Sequence, residues 1–506
     1  MPTIVQRLNR PLVALLVVAA IAGGIRFWNL SHPDALVFDE VYYPKAGCIL
    51  IGWSNKVCRI QSSDEKYWRT AKWDVGSWVH PPLGKWEIGL GIKAFGMNPF
   101  GWRVTTALEG TMVAVLTASI AQVLFGSALW TFVAGLLVAV EGLNVVMSRV
   151  ALLDTHLEFW IVVGFLFLVL DRRWIDRRSP ARTVEQAAPE ALADETSEAV
   201  DVPAQLPRVL SPIWRPWRFA AGLALGAAAS VKWSGVTALL GAVILTYVWE
   251  TTRRVRGDVG HGRAFLRAFA RETFGIAIAF LILPATVYMA VWLPWFHHFG
   301  WSMGSWWKNQ VDTWHYHSNL KATDFDPKTK TYTPTHPYYS RPWTWLLMLR
   351  PVNMYAEYPN GGVEQILGVG NAAVFWASFW ALPFAAFAWR RTKDWRAGFV
   401  LVTVLALYVP WFFVSRPQFF FYVLPVTPFI VRAITYSLRW LSDATWIVRD
   451  PTTGEAIEST RHPYRPFVWG YVIVAVLVFV WFYPILTGER LSIGAHNLRL
   501  WFQRWG

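Results

Sequence analysis

The sequence predicts an all-α integral membrane protein of about eleven transmembrane helices, with two long external loops carrying amphipathic interface helices. Three observations predict it. Hydrophobic residues make up 54% of the 506 residues, the mean hydropathy is +0.31, and the apolar residues gather into runs of roughly 17–22, long enough to cross a hydrocarbon core of about 30 Å. Many of the 33 Trp stand at the ends of these runs, where indoles favour the membrane–water interface. Clusters of Arg and Lys recur in short segments that fall on one side when the spans are threaded in order.

The first run, 11–30, follows Arg7 and Arg10 and continues through Arg26-Phe27-Trp28 with no clear small-residue cleavage site. It reads as an uncleaved signal anchor. Further runs lie near 104–125, 128–147, 151–170, 218–232, 234–250, 274–295, 366–389, 397–414, 419–436 and 467–485. The basic segments 171–182, 253–271 and 390–396 are expected on the cytoplasmic side together with the N-terminus, and an odd number of spans leaves the C-terminus outside. The opposite side then carries the loops 31–103 and 296–365, and long loops of this kind usually hold function.

This gives an N-terminal membrane module (1–170), a cytoplasmic linker (171–217), a C-terminal membrane module (218–485) and an external tail (486–506). Within the linker, 183–210 is acidic, Ala/Pro-rich and nearly free of aromatics, the composition of a disordered segment. Residues 441–465 form a second polar cytoplasmic loop. The formal net charge of +14 is assigned to cytoplasmic loops and to groups that meet lipid phosphates rather than to nucleic acid, since no basic-aromatic binding module is present. Cys48 and Cys58, the two cysteines, both sit in the first loop. They form a short-loop disulfide if that loop faces an oxidising compartment, or remain two thiols.

Ionisable residues gather at the predicted outer ends of the spans. Phe38-Asp39-Glu40-Val41-Tyr42-Tyr43 follows the first span, and neighbouring carboxylates on a helix point to different partners. Val79-His80-Pro81-Pro82-Leu83-Gly84-Lys85 uses two prolines to fix the backbone beside a His and a Lys. Arg103 heads the second span, where a snorkelling anchor is the plain alternative. Arg149 and Asp154 flank the turn between the third and fourth spans and can pair, with His156 and Glu158 close by. Lys232 lies between two apolar runs, where a buried amine needs a phosphate or a carboxylate. His336, Arg341, Arg350 and Arg416 complete the set from the second loop and the later turn. No metal-ligand constellation emerges: His297-His298 and His315-Tyr316-His317 read as interface histidines. A divalent ion bridging Asp39 or Glu40 to a phosphate stays open.

Acids, histidines and cations on one face suit transfer of a sugar from a lipid phosphate to a hydroxyl. Cations stabilise the departing phosphate where charge builds, and a base takes the hydroxyl proton. An aspartate with an ordinary pKa of about 3.9 is ionised at neutral pH. One base opposite the leaving group gives inversion, whereas retention needs a second carboxylate as nucleophile.

FDEVYY, HPPLGK, GWRVTTALEG, RVALLDTHLEF, ASVKWSG, HPYYSRPW and LLMLRPV, in this order over most of the chain, resemble the protein O-mannosyltransferases, a GT-C type membrane family. The resemblance implies polyprenyl- or dolichyl-phosphate mannose as donor, Ser/Thr of translocating, Ser/Thr-rich secreted polypeptides as acceptor, and inversion. It implies Asp39 as the catalytic acidic residue, Glu40 as its acceptor-positioning partner and Arg103 as the arginine at the start of the second span. His80, Lys85, Arg103, Lys232 and Arg341 are expected to contact the donor phosphate, with Arg149, Asp154, His336, Arg350 and Arg416 supporting. The eukaryotic members' β-trefoil insert is missing from the second loop, which is similar to bacterial, particularly actinobacterial, members. That implies a plasma-membrane protein with its active face outward, membrane lipids around it and the Sec export machinery as a partner. The rival readings are a relative that moves another sugar or glycosylates a lipid, and a lipid-linked sugar transporter, which would spread ionisable groups through the membrane depth in repeats.

Overall fold

The computed structural model describes residues 4–61, 64, 79–178, 214–255, 260–326, 330–445, 447–449, 456–458 and 461–505. The acidic stretch 183–210, most of the linker expected at 171–217, and residues 65–78 of the first loop lie outside the described residues. In chain order the helices are α1 (Ile4–Phe27), α2 (Tyr43–Leu50), α3 (Leu83–Phe95), α4 (Pro99–Phe125), α5 (Ala128–Ala139), α6 (Gly142–Ser148), α7 (Leu153–Arg178), α8 (Pro216–Val231) and α9 (Val236–Arg254). They continue as α10 (His261–Val291), α11 (Leu293–Phe299), α12 (Met303–Asn319), α13 (Ala372–Thr392), α14 (Trp395–Tyr408), α15 (Thr427–Asp443), α16 (Arg465–Thr487) and α17 (Ile493–Asn497).

Among the described residues nine helical segments are long and apolar enough to span a membrane, and ten if α5 and α6, bent by 64° at their junction, make one span. Length and composition thus do not confirm the count of eleven. The remaining expected span, 218–232, corresponds to α8, whose 16 residues rise only about 24 Å. Lys232, in extended backbone, ends it, and a three-residue 3-10 turn, Trp233–Gly235, leads into α9.

Two other boundaries move for physical reasons. The run 366–389 begins as the end of strand β4 (Gly362–Gly368), because a buried strand and a helix start have the same hydropathy. The helix starts only after Asn371, whose side chain accepts from the Ala373 N–H and whose amide donates to Val140 and Ala475 carbonyls. The segment 253–271 is not all loop: α10 starts at His261, burying Ala264, Ala268 and Glu272 at helical spacing while Arg263, Arg267 and Arg271 stay exposed.

The chain is also not purely α. The second long loop holds a hairpin of β1 (Thr323–Asp326) and β2 (Thr331–Pro334). It then forms β3 (Val352–Glu357), antiparallel to β4 with a bulge between Asn353 and Tyr355. A further hairpin pairs β5 (Ile447–Arg449) with β6 (Ala456–Glu458). Strand β7 (Leu491–Ser492), from the C-terminal segment, adds to the other edge of β4.

The ends of the bundle differ. At one end, Asp171 of α7, Arg215 before α8, Arg218 of α8, Glu250 and Arg254 of α9 and Glu272 of α10 form one buried ionic network, with Arg218–Glu272 at 2.9 Å and Arg254–Glu272 at 2.8 Å. Arg396 and Arg439 close the C-terminal end of α4 through the carbonyls of Leu124 and Phe125. The basic segments foreseen as cytoplasmic thus meet at one end. The N-termini of α4 and α7, which carry Arg103 and Asp154, lie at the other, about 40 Å away along α4.

At that second end α2 and α3 cross closely. A Cβ on Gly47 would stand 2.7 Å from the Lys85 carbonyl oxygen, and one on Gly89 2.6 Å from that of Gly47, so only glycine permits the contact. Cys48 of α2 and Cys58 form a disulfide, resolving the choice left by the sequence, and both are fully buried. Closing a loop with a sequence separation of 10 contributes about 3 kcal/mol in the chain-entropy account. Replacing both by serine is expected to lower the thermal midpoint by several degrees, and an unchanged midpoint in a fluorescence melt would remove the disulfide's structural role.

Candidate active site

The site is built on a clamp. Arg103, in the first turn of α4, is fully buried and makes five hydrogen bonds. Two reach the Glu40 carboxylate at 2.8 Å each, and three reach the carbonyls of Leu30, Pro33 and Ala35. Glu40, also fully buried, accepts in addition from the Val37 and Ala151 N–H groups at 3.0 and 2.8 Å. A planar guanidinium matched to a carboxylate on two bonds fixes direction as well as distance. Arg149 ties the same segment down through the carbonyls of Ile25, Arg26, Trp28 and Asn29.

With Glu40 turned inward, Asp39 faces out. The preceding Phe38 takes a φ of 48°, a left-handed conformation costly for a bulky residue and tolerated where packing over-determines it. Here its ring is wedged edge-on against Phe419 and Phe421. Asp39 is half-buried and lines a cavity of about 140 Å³ together with Tyr42, Tyr43, His80, Lys85, His317, Arg416 and Tyr422. Its side chain has no hydrogen-bond or ion-pair partner among the described residues.

A larger cavity of about 470 Å³ adjoins it, and His80, His317, Arg416 and Tyr422 line both. The larger one adds Lys232 and Asp154 at its polar end and Leu157, Ile161, Thr237 and Leu407 along its length. Lys232 donates to Asp154 at 2.8 Å and sits 5.4 Å from the Tyr422 ring centre. His317, on α12, receives a contact from Arg416 at its Nδ1, 3.3 Å away, and its Nε2 is 2.8 Å from the Val79 carbonyl. This arrangement places the proton on Nε2. Val79 has a φ of 70°, unusual for a β-branched residue, and His80 stacks on His317 at 5.3 Å.

Burial pushes the Asp39 carboxyl up to about 6, with the Asp154 charge adding and Lys232 opposing. It is still ionised at neutral pH and is a stronger base than an ordinary aspartate. Burial, followed by the charge on Lys232, holds His80 well below its usual 6.5. Burial and then Arg416 bring His317 down to about 4. Both imidazoles are neutral at physiological pH, so Lys232, Arg416 and Lys85 carry the positive charge of these cavities.

The structure therefore brings together Asp39, His80, Lys85, Asp154, Lys232 and Arg416. It corrects several other expectations. Glu40 and Arg103 bond to each other and to backbone groups, and neither lines either cavity. Asp154 pairs with Lys232 rather than with Arg149. Arg341 is exposed, His336 accepts from the Tyr338 N–H and packs on Phe419, and Arg350 lies near Arg504. None of Arg149, His336, Arg341 and Arg350 lines either cavity. His317 and Tyr422 were passed over, because nothing in an aromatic-rich stretch marks which ring turns inward.

A helical membrane bundle with a cation-lined apolar cavity meeting a carboxylate at one end defines a GT-C type glycosyltransferase. The family description for dolichyl-phosphate-mannose-protein mannosyltransferase matches residues 68–183, and that for the C-terminal four-transmembrane region of protein O-mannosyltransferase matches 302–505. Polyprenol-phosphate-mannose–protein mannosyltransferase of Mycolicibacterium smegmatis is 32% identical over 97% of this chain and 92% of its own. The Mycobacterium tuberculosis protein of that name is 31% identical over 87% and 86%. The S. cerevisiae Pmt1–Pmt2 complex bound to the sugar donor has the same fold, with a TM-score of 0.71 at 14% identity, covering 100% of this chain and 93% of that one. The chain belongs to the protein O-mannosyltransferase family.

Removing one partner of a buried ion pair leaves an uncompensated charge, a loss of about 3–5 kcal/mol. Arg103→Ala is thus expected to lower stability by that order while the donor Michaelis constant of the surviving folded protein stays near wild type. A stable Arg103→Ala protein with weakened donor use would restore a phosphate-binding role.

Proposed function

We infer that the protein transfers mannose from a polyprenyl-phosphate mannose lipid to Ser/Thr hydroxyls of exported polypeptides, on the outer face of the plasma membrane. The observation that carries this reading is the pair of cavities sharing one wall, with the unpaired Asp39 carboxylate in the smaller and Lys232 in the larger. Family membership supplies the class of reaction, and the geometry supplies the roles.

The apolar length of the larger cavity suits a prenyl chain, and its polar end suits the phosphate. Arg416, on the shared wall, and Lys232 face the oxygens that gain charge as the sugar leaves, in a setting where preorganised cations stabilise that charge strongly. Asp154 holds the Lys232 amine in place and tempers its charge. Neutral His80 can add a hydrogen bond without competing for a proton, while His317, with both ring nitrogens engaged, holds Arg416 in place. The acceptor hydroxyl enters the smaller cavity, where its oxygen bonds to the anomeric carbon and its proton passes to Asp39. The bond from that carbon to the phosphate oxygen breaks, and its electron pair leaves with the lipid phosphate. One base and no carboxylate nucleophile gives inversion. Tyr42 and Tyr43, beside Asp39, are the aromatic surface available to the sugar or the peptide. The N-terminus and the basic end of the bundle are then cytoplasmic, and the acceptor arrives extended from the export machinery.

Incubating membranes with labelled mannosyl lipid and a Ser/Thr-rich peptide tests the reading. Label is expected in the peptide, and label passing only to lipid would favour the rival activity. Asp39→Asn is expected to abolish transfer while donor still binds, and substantial retained turnover would sink the proposal. Arg416→Ala is expected to weaken donor use by roughly 1.5–3 kcal/mol, the worth of a hydrogen bond to a charged group.

The active form is the Asp39 carboxylate, whose pKa is raised to about 6. Transfer is therefore full above that value and is lost as pH falls through it, about tenfold per unit below. An acid limb near pH 4 in kcat/KM would show that Asp39 is not the group titrating.

A further inference from the structure

Behind the His80 turn, α3, α4 and α7 bring together three ionisable side chains that the transfer reaction does not use. A Cβ at Gly84 would lie 2.9 Å from Leu153 Cδ2 and 3.6 Å from His156 Cβ, so the start of α3 lies directly against α7. One turn further on, Glu87 faces His156, and Glu109 of α4 closes the third side. His156 Nδ1 is 3.1 Å from Glu87 Oε2 and 2.5 Å from Glu109 Oε2. The His156 side chain is fully buried and the two glutamates are 12% exposed.

These contacts lack the alignment of hydrogen bonds. Among the described residues, both ring nitrogens of His156 and Oε2 of each glutamate have no hydrogen-bond partner. Buried polar atoms left in this state are costly. A single N–H at Nδ1 serves one oxygen well and leaves two carboxylates facing each other. One divalent cation answers all three side chains, because one ligand atom from each lies within 4.8 Å of the others and two carboxylates balance its charge.

We propose that Glu87, Glu109 and His156 bind a zinc-class divalent cation that staples α3 to α4 and α7 beside the catalytic cavities. One imidazole nitrogen and two carboxylate oxygens form a borderline donor set that zinc takes at about 2.0–2.2 Å, with a fourth position left for water. Trp160 Nε1 donates to the other oxygen of Glu87 at 2.7 Å, the kind of outer contact that orients a ligating carboxylate. Both cysteines are held in the disulfide, so the set contains no thiolate. The site acts on position: α3 carries Lys85 and follows His80, and α7 carries Asp154.

The test uses the full-length protein in detergent, stripped with a chelator and returned to Zn²⁺ alone. The expected result is about one zinc per chain after gel filtration and a melting temperature raised by several degrees, with both effects reduced at least about tenfold in Glu109→Gln and in Glu87→Gln. X-ray absorption at the zinc edge of the wild-type protein is expected to show a sulfur-free nitrogen/oxygen shell with scattering from a single imidazole, and it decides the matter if a variant aggregates. Less than about a tenth of an equivalent in the wild type, equal zinc in the monodisperse variants, or a shell without imidazole would overturn the proposal. These readouts are metal content and coordination, so they are independent of which sugar is moved.

Discussion

The Glu40–Arg103 pair is the constraint on which the site depends. It locks the chain from Leu30 to Glu40 to the head of α4 by five bonds from one guanidinium. The same carboxylate takes the Ala151 N–H, joining the turn before α7. Three elements are referenced to one ion pair. A buried pair of this kind is a weak source of net stability, since desolvation offsets most of the attraction. Its contribution lies in permitting one arrangement: any rotation of the segment strands a charge in an apolar surrounding.

This explains how two adjacent carboxylates come to do different work. The residue that is locked determines where its neighbour points, and Phe38, in left-handed backbone and wedged by two phenylalanines, completes the turn. Asp39 is left beside a cavity with no hydrogen-bond or ion-pair partner among the described residues, and that is the condition under which burial raises a carboxyl group. Had Asp39 been given the arginine, it would have been a well-stabilised anion and a poor proton acceptor. Basicity at Asp39 and satisfaction at Glu40 are two outcomes of one hydrogen-bonding pattern.

Hydropathy made the spans legible because the membrane demands apolar length and nothing subtler. It failed where the same composition serves another geometry, in β4 before α13 and in the alanine-stripe start of α10. At the site, residue type and segment order located Asp39, His80, Lys85, Asp154, Lys232 and Arg416. What they could not give is which of two adjacent acids is locked in an ion pair, as Glu40 is with Arg103. His317 becomes visible only through its bond to the Val79 carbonyl, across the two external loops. Glu87, Glu109 and His156 stand far apart in sequence, on three helices whose faces meet only after packing.

The two kinds of cation around the cavities differ in how they are held. Lys232 stands at the break between α8 and α9, elements anchored roughly 25 Å away by the ionic network of Asp171, Arg215, Arg218, Glu250 and Glu272. Its position is set by rigid helices and by Asp154. Arg416 sits on a turn and is steadied through His317, which is itself bonded to the first external loop. In the proposed reaction the donor's phosphate would thus be met by one fixed charge and by one whose placement requires both external loops to be seated. His80, His317, Arg416 and Tyr422 also bound the Asp39 cavity, so on that reading a loop shift that spoils acceptor entry would also withdraw Arg416 from the phosphate. In the proposed reaction, base and leaving-group stabilisation would therefore be assembled by the same shared wall.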